Sequence, residues 1–84
     1  MNADVDDLIT FLRDELRAIK PSLPAELPAG ANYRHDLNLD SLDLVELVAR
    51  IEQRYVVMIP DADLPAFVSL DATVHYVIER VVAA

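Results

Sequence analysis

Apolar residues return every three or four positions in three stretches of this chain, and proline punctuates the gaps between them. Val5, Leu8, Ile9, Leu12, Leu16 and Ile19 form the first stripe. Asp4, Asp6 and Asp7 crowd its start and Arg17 and Lys20 its end, the charge order a helix dipole favours. Pro21 drives Lys20 out of helical geometry, so a first helix is predicted from about Ala3 to Ile19. The second stripe, Leu44, Leu47, Val48, Ile51 and Tyr55, predicts a helix from Ser41 to about Tyr55. Beside it runs a second apolar strip, Leu42, Val45 and Ala49. A broad core face would give the same pattern; a partly exposed contact surface for partners is the functional reading. In the third stretch Ser69 can cap a helix whose Leu70, Val74, Val77, Ile78 and Val81 face inward. Its β-branched content suits an isolated helix poorly, so tertiary packing must hold it.

The connections are informative in their own right. Residues 20–39 contain Pro21, Pro24, Pro28 and Gly30, and a loop of that length normally counts against a compact assignment. Here the prolines lower the entropy lost on ordering, and Leu23, Leu27, Tyr33 and Leu37 can pin the segment across a core. Val56-Val57-Met58-Ile59 has strand propensity but no comparable strand to pair with, so it is expected as an apolar connection ended by Pro60. Pro65 is tolerable only in a first turn, which predicts a short helix within Asp63 to Val68 that begins near Asp63. The expected fold is all-α: a small bundle of three main helices plus one short one, with a long ordered first loop, in a single domain over 1–84.

Composition narrows the function. A chain of 84 residues that is 54% hydrophobic fills a modest core and is marginally stable alone. Without cysteine there is no disulfide, thiolate nucleophile or Cys-based metal site. Met1-Asn2-Ala3-Asp4 lacks the basic and apolar regions of a signal peptide, and no apolar run approaches a membrane span. A monomer in the cytoplasm is expected, with no membrane partner. A net charge of −8 repels phosphate backbones, which argues against nucleic acid, and steers the chain toward basic patches on proteins. Asp36, Asp40, Asp43 and Glu46 concentrate that charge in a window free of Lys and Arg.

The same window carries the candidate chemistry. In Asp36-Leu37-Asn38-Leu39-Asp40-Ser41-Leu42-Asp43, Asp40 suits the N-cap position and Asp43, three residues on, suits the reciprocal partner. Ser41 then falls at the first helical position and points to solvent. A hydrolase trio of Ser41 with His35 and Asp36 fails, because adjacent His and Asp side chains do not line up behind one serine and glycine-rich oxyanion architecture is missing. His35 and His75 have no spacing that groups them as metal ligands. No residue is assigned a catalytic or metal-binding role.

Asp40-Ser41-Leu42, preceded by Leu37-Asn38-Leu39 and followed by Asp43-Leu44-Val45-Glu46-Leu47, resembles the signature of the acyl carrier protein family. Asp-Ser-Leu alone is a weak motif. Its place at a helix start, the Ile59-Pro60-Asp61 triplet and the pattern Leu70, Val74, Tyr76 extend the resemblance over essentially the whole chain. The resemblance implies a carrier and not an enzyme. It implies 4′-phosphopantetheine joined to Ser41 as a phosphodiester by a separate phosphopantetheinyl transferase that uses coenzyme A. The terminal thiol would hold acyl groups as thioesters and deliver them to fatty acid, polyketide or other specialised biosynthetic enzymes. Asp40 would be the motif acid. Leu42, Asp43, Val45, Glu46 and Ala49 would form the face that docks onto basic patches of acyl-activating, condensing and modifying enzymes.

Three positions depart from the family pattern. Asn38 stands where glycine is usual; asparagine is the next most tolerant residue if positive φ is needed there. Arg50 and Arg54 interrupt the acidic surface and mark a dedicated partner set. Leu44 and Phe67 are bulky where an acyl cavity would open, which points to small or polar cargo, or cargo held outside the core. The competing readings are an unmodified helical adaptor of the same fold, or an aminoacyl or peptidyl carrier; the presence of Ser41 favours a carrier over the adaptor, and the Leu39-Asp40-Ser41-Leu42 form resembles acyl more than aminoacyl carriers.

Overall fold

A computed structural model describes residues 5–83, with side chains through Arg80. Three α-helices, α1 (Val5–Ile19), α2 (Ser41–Tyr55) and α3 (Leu70–Ala83), are joined by a long first loop and by a 3-10 helix, Asp61–Ala66. The all-helical expectation holds. Among the described residues the sole extended pairing is an isolated antiparallel bridge between Asn32 and Ser69. No described helix is long and apolar enough to cross a membrane.

Helix α1 packs against both α2 and α3, and the 3-10 helix rests on α3. Leu8, Leu12 and Leu16 of α1 meet Leu44, Leu47, Val48 and Ile51 of α2 in one core with Leu70 and Val77 of α3. Val5, expected in the α1 stripe, remains 44% exposed at the helix start. The expected beginning at Ala3 and the expected inward side chain of Val81 lie outside the described residues.

The first loop is a structural element in its own right. Leu23, Leu27 and Tyr33 are buried as expected, but Leu39 is the further buried anchor while Leu37 is half-buried. Arg13 on α1 donates through Nε and Nη2 to the Leu27 carbonyl, at 3.2 and 2.8 Å. Tyr33 N–H donates to Val68 C=O at 2.8 Å, and Asp71 N–H to Ala29 C=O at 2.9 Å. These bonds stitch the loop to the start of α3. Asn38 takes positive φ (58°), the conformation asparagine tolerates better than other non-glycine residues. Its carbonyl accepts from Lys20 Nζ at 2.9 Å.

Two expectations need correction. The short helix begins at Asp61, not near Asp63, because the Pro60 carbonyl accepts from Asp63 N–H at 2.9 Å and opens the 3-10 turn there. Pro65 therefore lies near the helix's end. A 3-10 helix loses one bond to a proline whose φ it shares, so the position is tolerable. In α3, Thr73 and Tyr76 are buried while Val74 and Ile78 are half-buried. Thr73 Oγ1 donates to Ser69 C=O at 2.9 Å and lies 2.8 Å from the Tyr33 hydroxyl. With its own proton committed to Ser69, Thr73 accepts from Tyr33. A satisfied hydroxyl can occupy a core position that hydropathy alone gives to valine. Ser69 caps α3 as expected, Oγ accepting from Ala72 N–H at 3.2 Å.

Candidate functional site

Ser41 is the first residue of α2, and its side chain is exposed. The helix start is fixed by a reciprocal capping box. Asp43 N–H donates to Asp40 Oδ1 at 2.9 Å, and Asp40 N–H donates to Asp43 Oδ2 at 3.1 Å. Each carboxylate keeps its second oxygen free of these bonds, and both sit at the positive end of the helix. Leu39, buried immediately before the cap, anchors the chain from below.

The loop that leads to Ser41 is organised by Asn32. Its Oδ1 accepts from Arg34 N–H and His35 N–H, both at 2.9 Å, while Asp36 Oδ2 accepts from Asn32 N–H at 2.8 Å. Short polar side chains that bond backbone groups two or three residues on set turns of this kind. Asp36 is thereby a turn residue. The turn holds Arg34 so that its Nη2 donates to Ser41 Oγ at 2.7 Å.

A cleft of about 540 Å³ opens beside Ser41. Arg34, His35 and Ser41 line its polar side, and Leu44, Leu64 and Phe67 its apolar side. Leu44 and Phe67 are buried, and their bulk walls this cleft. Beneath the loop, burial pushes the Tyr33 hydroxyl well above its ordinary pKa of 10.0.

The residues expected to meet partners fall along one face of α2. Leu42 is 78% and Val45 50% exposed, unusually open for apolar side chains so close in sequence. Glu46 and Ala49 are exposed and Asp43 half-buried beside them. Glu46 Oε2 accepts from Arg50 Nε at 2.9 Å, and Arg50 Nη1 reaches Glu15 Oε1 on α1 at 2.8 Å. Arg54 lies over the rings of Phe11 and Tyr55. Among the described residues no group of three or more potential ligands could hold a metal ion.

Sequence reasoning missed Arg34. It stands outside the acidic window, seven residues from Ser41, and nothing local in the sequence signals a contact that depends on the path of a loop.

The family model described as a phosphopantetheine attachment site matches residues 6–77. An acyl carrier protein of Rubrobacter xylanophilus is 38% identical over 56 residues, 67% of this chain and 69% of that protein. A meromycolate extension acyl carrier protein of Mycolicibacterium smegmatis is 30% identical over 77 residues, 92% of this chain and 78% of its own. A mitochondrial acyl carrier protein of Neurospora crassa is 39% identical over 57 residues, 68% of this chain but 42% of the relative's length. The exposed serine at a capped helix start has the chemistry of a modification acceptor, and a match over nearly all of the bundle puts that acceptor in a known context: the chain belongs to the acyl carrier protein family, whose prosthetic group is a covalently attached 4′-phosphopantetheine.

Proposed function

We propose that Ser41 is the attachment point of 4′-phosphopantetheine and that this chain, as one domain, carries acyl groups between biosynthetic enzymes. The observation that carries the assignment is the Ser41 hydroxyl, exposed at the first position of α2. The site fits the group: a phosphodiester on Ser41 Oγ has the Arg34 guanidinium beside it and an open cleft next to it. In the loading reaction Ser41 Oγ forms a bond to the pantetheine-side phosphorus of coenzyme A. The pyrophosphate P–O bond breaks, 3′,5′-ADP leaves, and the hydroxyl proton passes to a base on the transferase. When bound, the group supplies the thiol that holds acyl cargo as a thioester. The flexible arm keeps that cargo at high effective concentration near a docked enzyme.

The docking face is Leu42, Asp43, Val45, Glu46 and Ala49, with Asp40 at its edge. Leu42 and Val45 supply apolar contact, and the acids draw in Arg and Lys of the transferase and of acyl-activating, condensing and modifying enzymes. Fatty acid or polyketide assembly is the setting this combination suits, with the chain acting as a cytoplasmic monomer. Modification is tested by intact mass after incubation with coenzyme A, magnesium and a broad-specificity transferase. The wild type should gain one phosphopantetheine and Ser41→Ala none; a gain in both proteins moves the site elsewhere. Docking is tested with Glu46→Lys. This change should slow modification severalfold at low salt, with the gap closing as salt rises and helicity unchanged. Equal rates across the salt series remove Glu46 from the docking face.

A further inference from the structure

We propose that Arg34 is a binding residue for the prosthetic phosphate, an ion-pair clamp that fixes the root of the arm on the cleft side of Ser41. The proposal rests on the assignment of Ser41 as the attachment point and extends it to a residue outside the acidic motif. The geometry is direct, because Arg34 Nη2 already donates to the very oxygen that would become the ester oxygen, at 2.7 Å. A guanidinium there has its remaining N–H groups within reach of the non-bridging phosphate oxygens, and the planar fork suits phosphate geometry.

Charge supplies a second argument. Asp40 and Asp43 flank Ser41 in the first turn, so a phosphodiester at Ser41 adds a third negative charge to two existing ones. Arg34 is the cation placed against that cluster, and no carboxylate among the described residues pairs with it. The other cations near acids are committed: Arg50 to Glu46 and Glu15, and Arg80 to Asp63. Arg34 is also held in place, its backbone N–H bonded to Asn32 Oδ1, while Asn32 is bridged to Ser69. The clamp is therefore mounted on a fixed turn.

The position has a directional consequence. Arg34 and Ser41 share the cleft with Leu44, Leu64 and Phe67, whereas Leu42 and Val45 lie exposed on the docking face. A phosphate held toward Arg34 starts the arm on the cleft side and leaves the docking face uncovered.

The test compares apo and loaded full-length protein, each verified by intact mass. Arginine side-chain 15N NMR follows the Arg34 Nε–H, and 31P NMR follows the phosphodiester. Loading should shift the Arg34 Nε–H resonance and slow its exchange with solvent by about two- to fivefold, the range that an exposed ion pair of up to about 1 kcal/mol allows. Both changes should fade as salt rises from about 0.01 to about 1 M. The 31P resonance of loaded Arg34→Gln should differ from wild type and lose its salt dependence, and Arg34→Lys should fall between. Esterifying the oxygen that Arg34 touches shifts its resonances whatever its role, so the deciding readouts are the slowed exchange and its salt dependence, which a merely structural Arg34 would not show. Unchanged Arg34 Nε–H exchange in mass-verified loaded wild type overturns the clamp by itself, with no variant needed. Absence of loading at Ser41 overturns the attachment assignment, and the clamp with it.

Discussion

The two ends of α2 are built on different principles. At the Ser41 end, polar contacts are reciprocal and local: Asp40 and Asp43 satisfy one another's backbone, and Arg34 reaches across from the loop. At the other end the helix closes on Val56 in the left-handed region, φ 51°, an uncomfortable place for a β-branched residue. Val56 is 91% and Met58 88% exposed there. That end is secured by one polar bond, from Ile59 N–H to Glu52 Oε2 at 2.8 Å, and by packing: Ile59 is buried and Phe11 meets Tyr55 edge to face. The contrast teaches where this small domain concentrates its conformational definition. The end that presents the hydroxyl is over-determined, and the far end tolerates strain and exposed apolar surface.

The sharpest way to break the comparison is to remove the support under the Ser41 end. Tyr33→Ala should cost about 3–5 kcal/mol of stability by urea unfolding, because it empties a buried aromatic site and takes away the donor that Thr73 Oγ1 accepts from. Met58→Ala at the opposite end should stay within about 0.5 kcal/mol. Similar losses at both would end the distinction.

Next in size is a pH effect. Burial raises the Tyr33 pKa in the folded state above 10.0, so the fold binds the proton more tightly than the unfolded chain does. Stability is complete below that pH and falls as pH rises above it, by at most about 1.4 kcal/mol per pH unit for this group. Tyr33→Phe should flatten that alkaline decline. The smallest effects separate the caps. Asp40→Ala should destabilise by about 1 kcal/mol, whereas Val56→Gly should stabilise by roughly 0.5 kcal/mol, relief of strain outweighing the entropy of glycine. Opposite signs in thermal unfolding would sharpen the contrast, and equal signs would erase it.

What was legible in the sequence follows the same division. The capping box at Asp40 and Asp43, the exposed serine, and the helix limits at Ile19 and Tyr55 depend on neighbours within a turn, and residue spacing reveals them. Arg34 was not legible, because its reach to Ser41 depends on a turn shaped by Asn32 and pinned by Ser69, far away in the chain. Thr73 was passed over for Val74 because hydropathy does not know that the Tyr33 hydroxyl is waiting in the core. Leu39 was overlooked because a buried leucine directly before a cap belongs to no helical period. The 3-10 start at Asp61 depended on which carbonyl a proline would leave available.

Arg50 has a consequence for partner selection. Its guanidinium is shared between Glu46, on the face proposed for docking, and Glu15 on the neighbouring helix. An incoming cation that seeks Glu46 therefore enters a site already tenanted, and its arrival is an exchange between competitors. A lone lysine would replace one contact with another and gain little. A partner that brings its own acceptor for the displaced Arg50, alongside a cation for Glu46, turns the exchange into a crossed pair and keeps both contacts. If partners dock on the proposed face, the chain would discriminate by the pattern of charge a partner presents more than by its total, and a uniformly basic surface would be an inferior fit to one with an acid set among its bases.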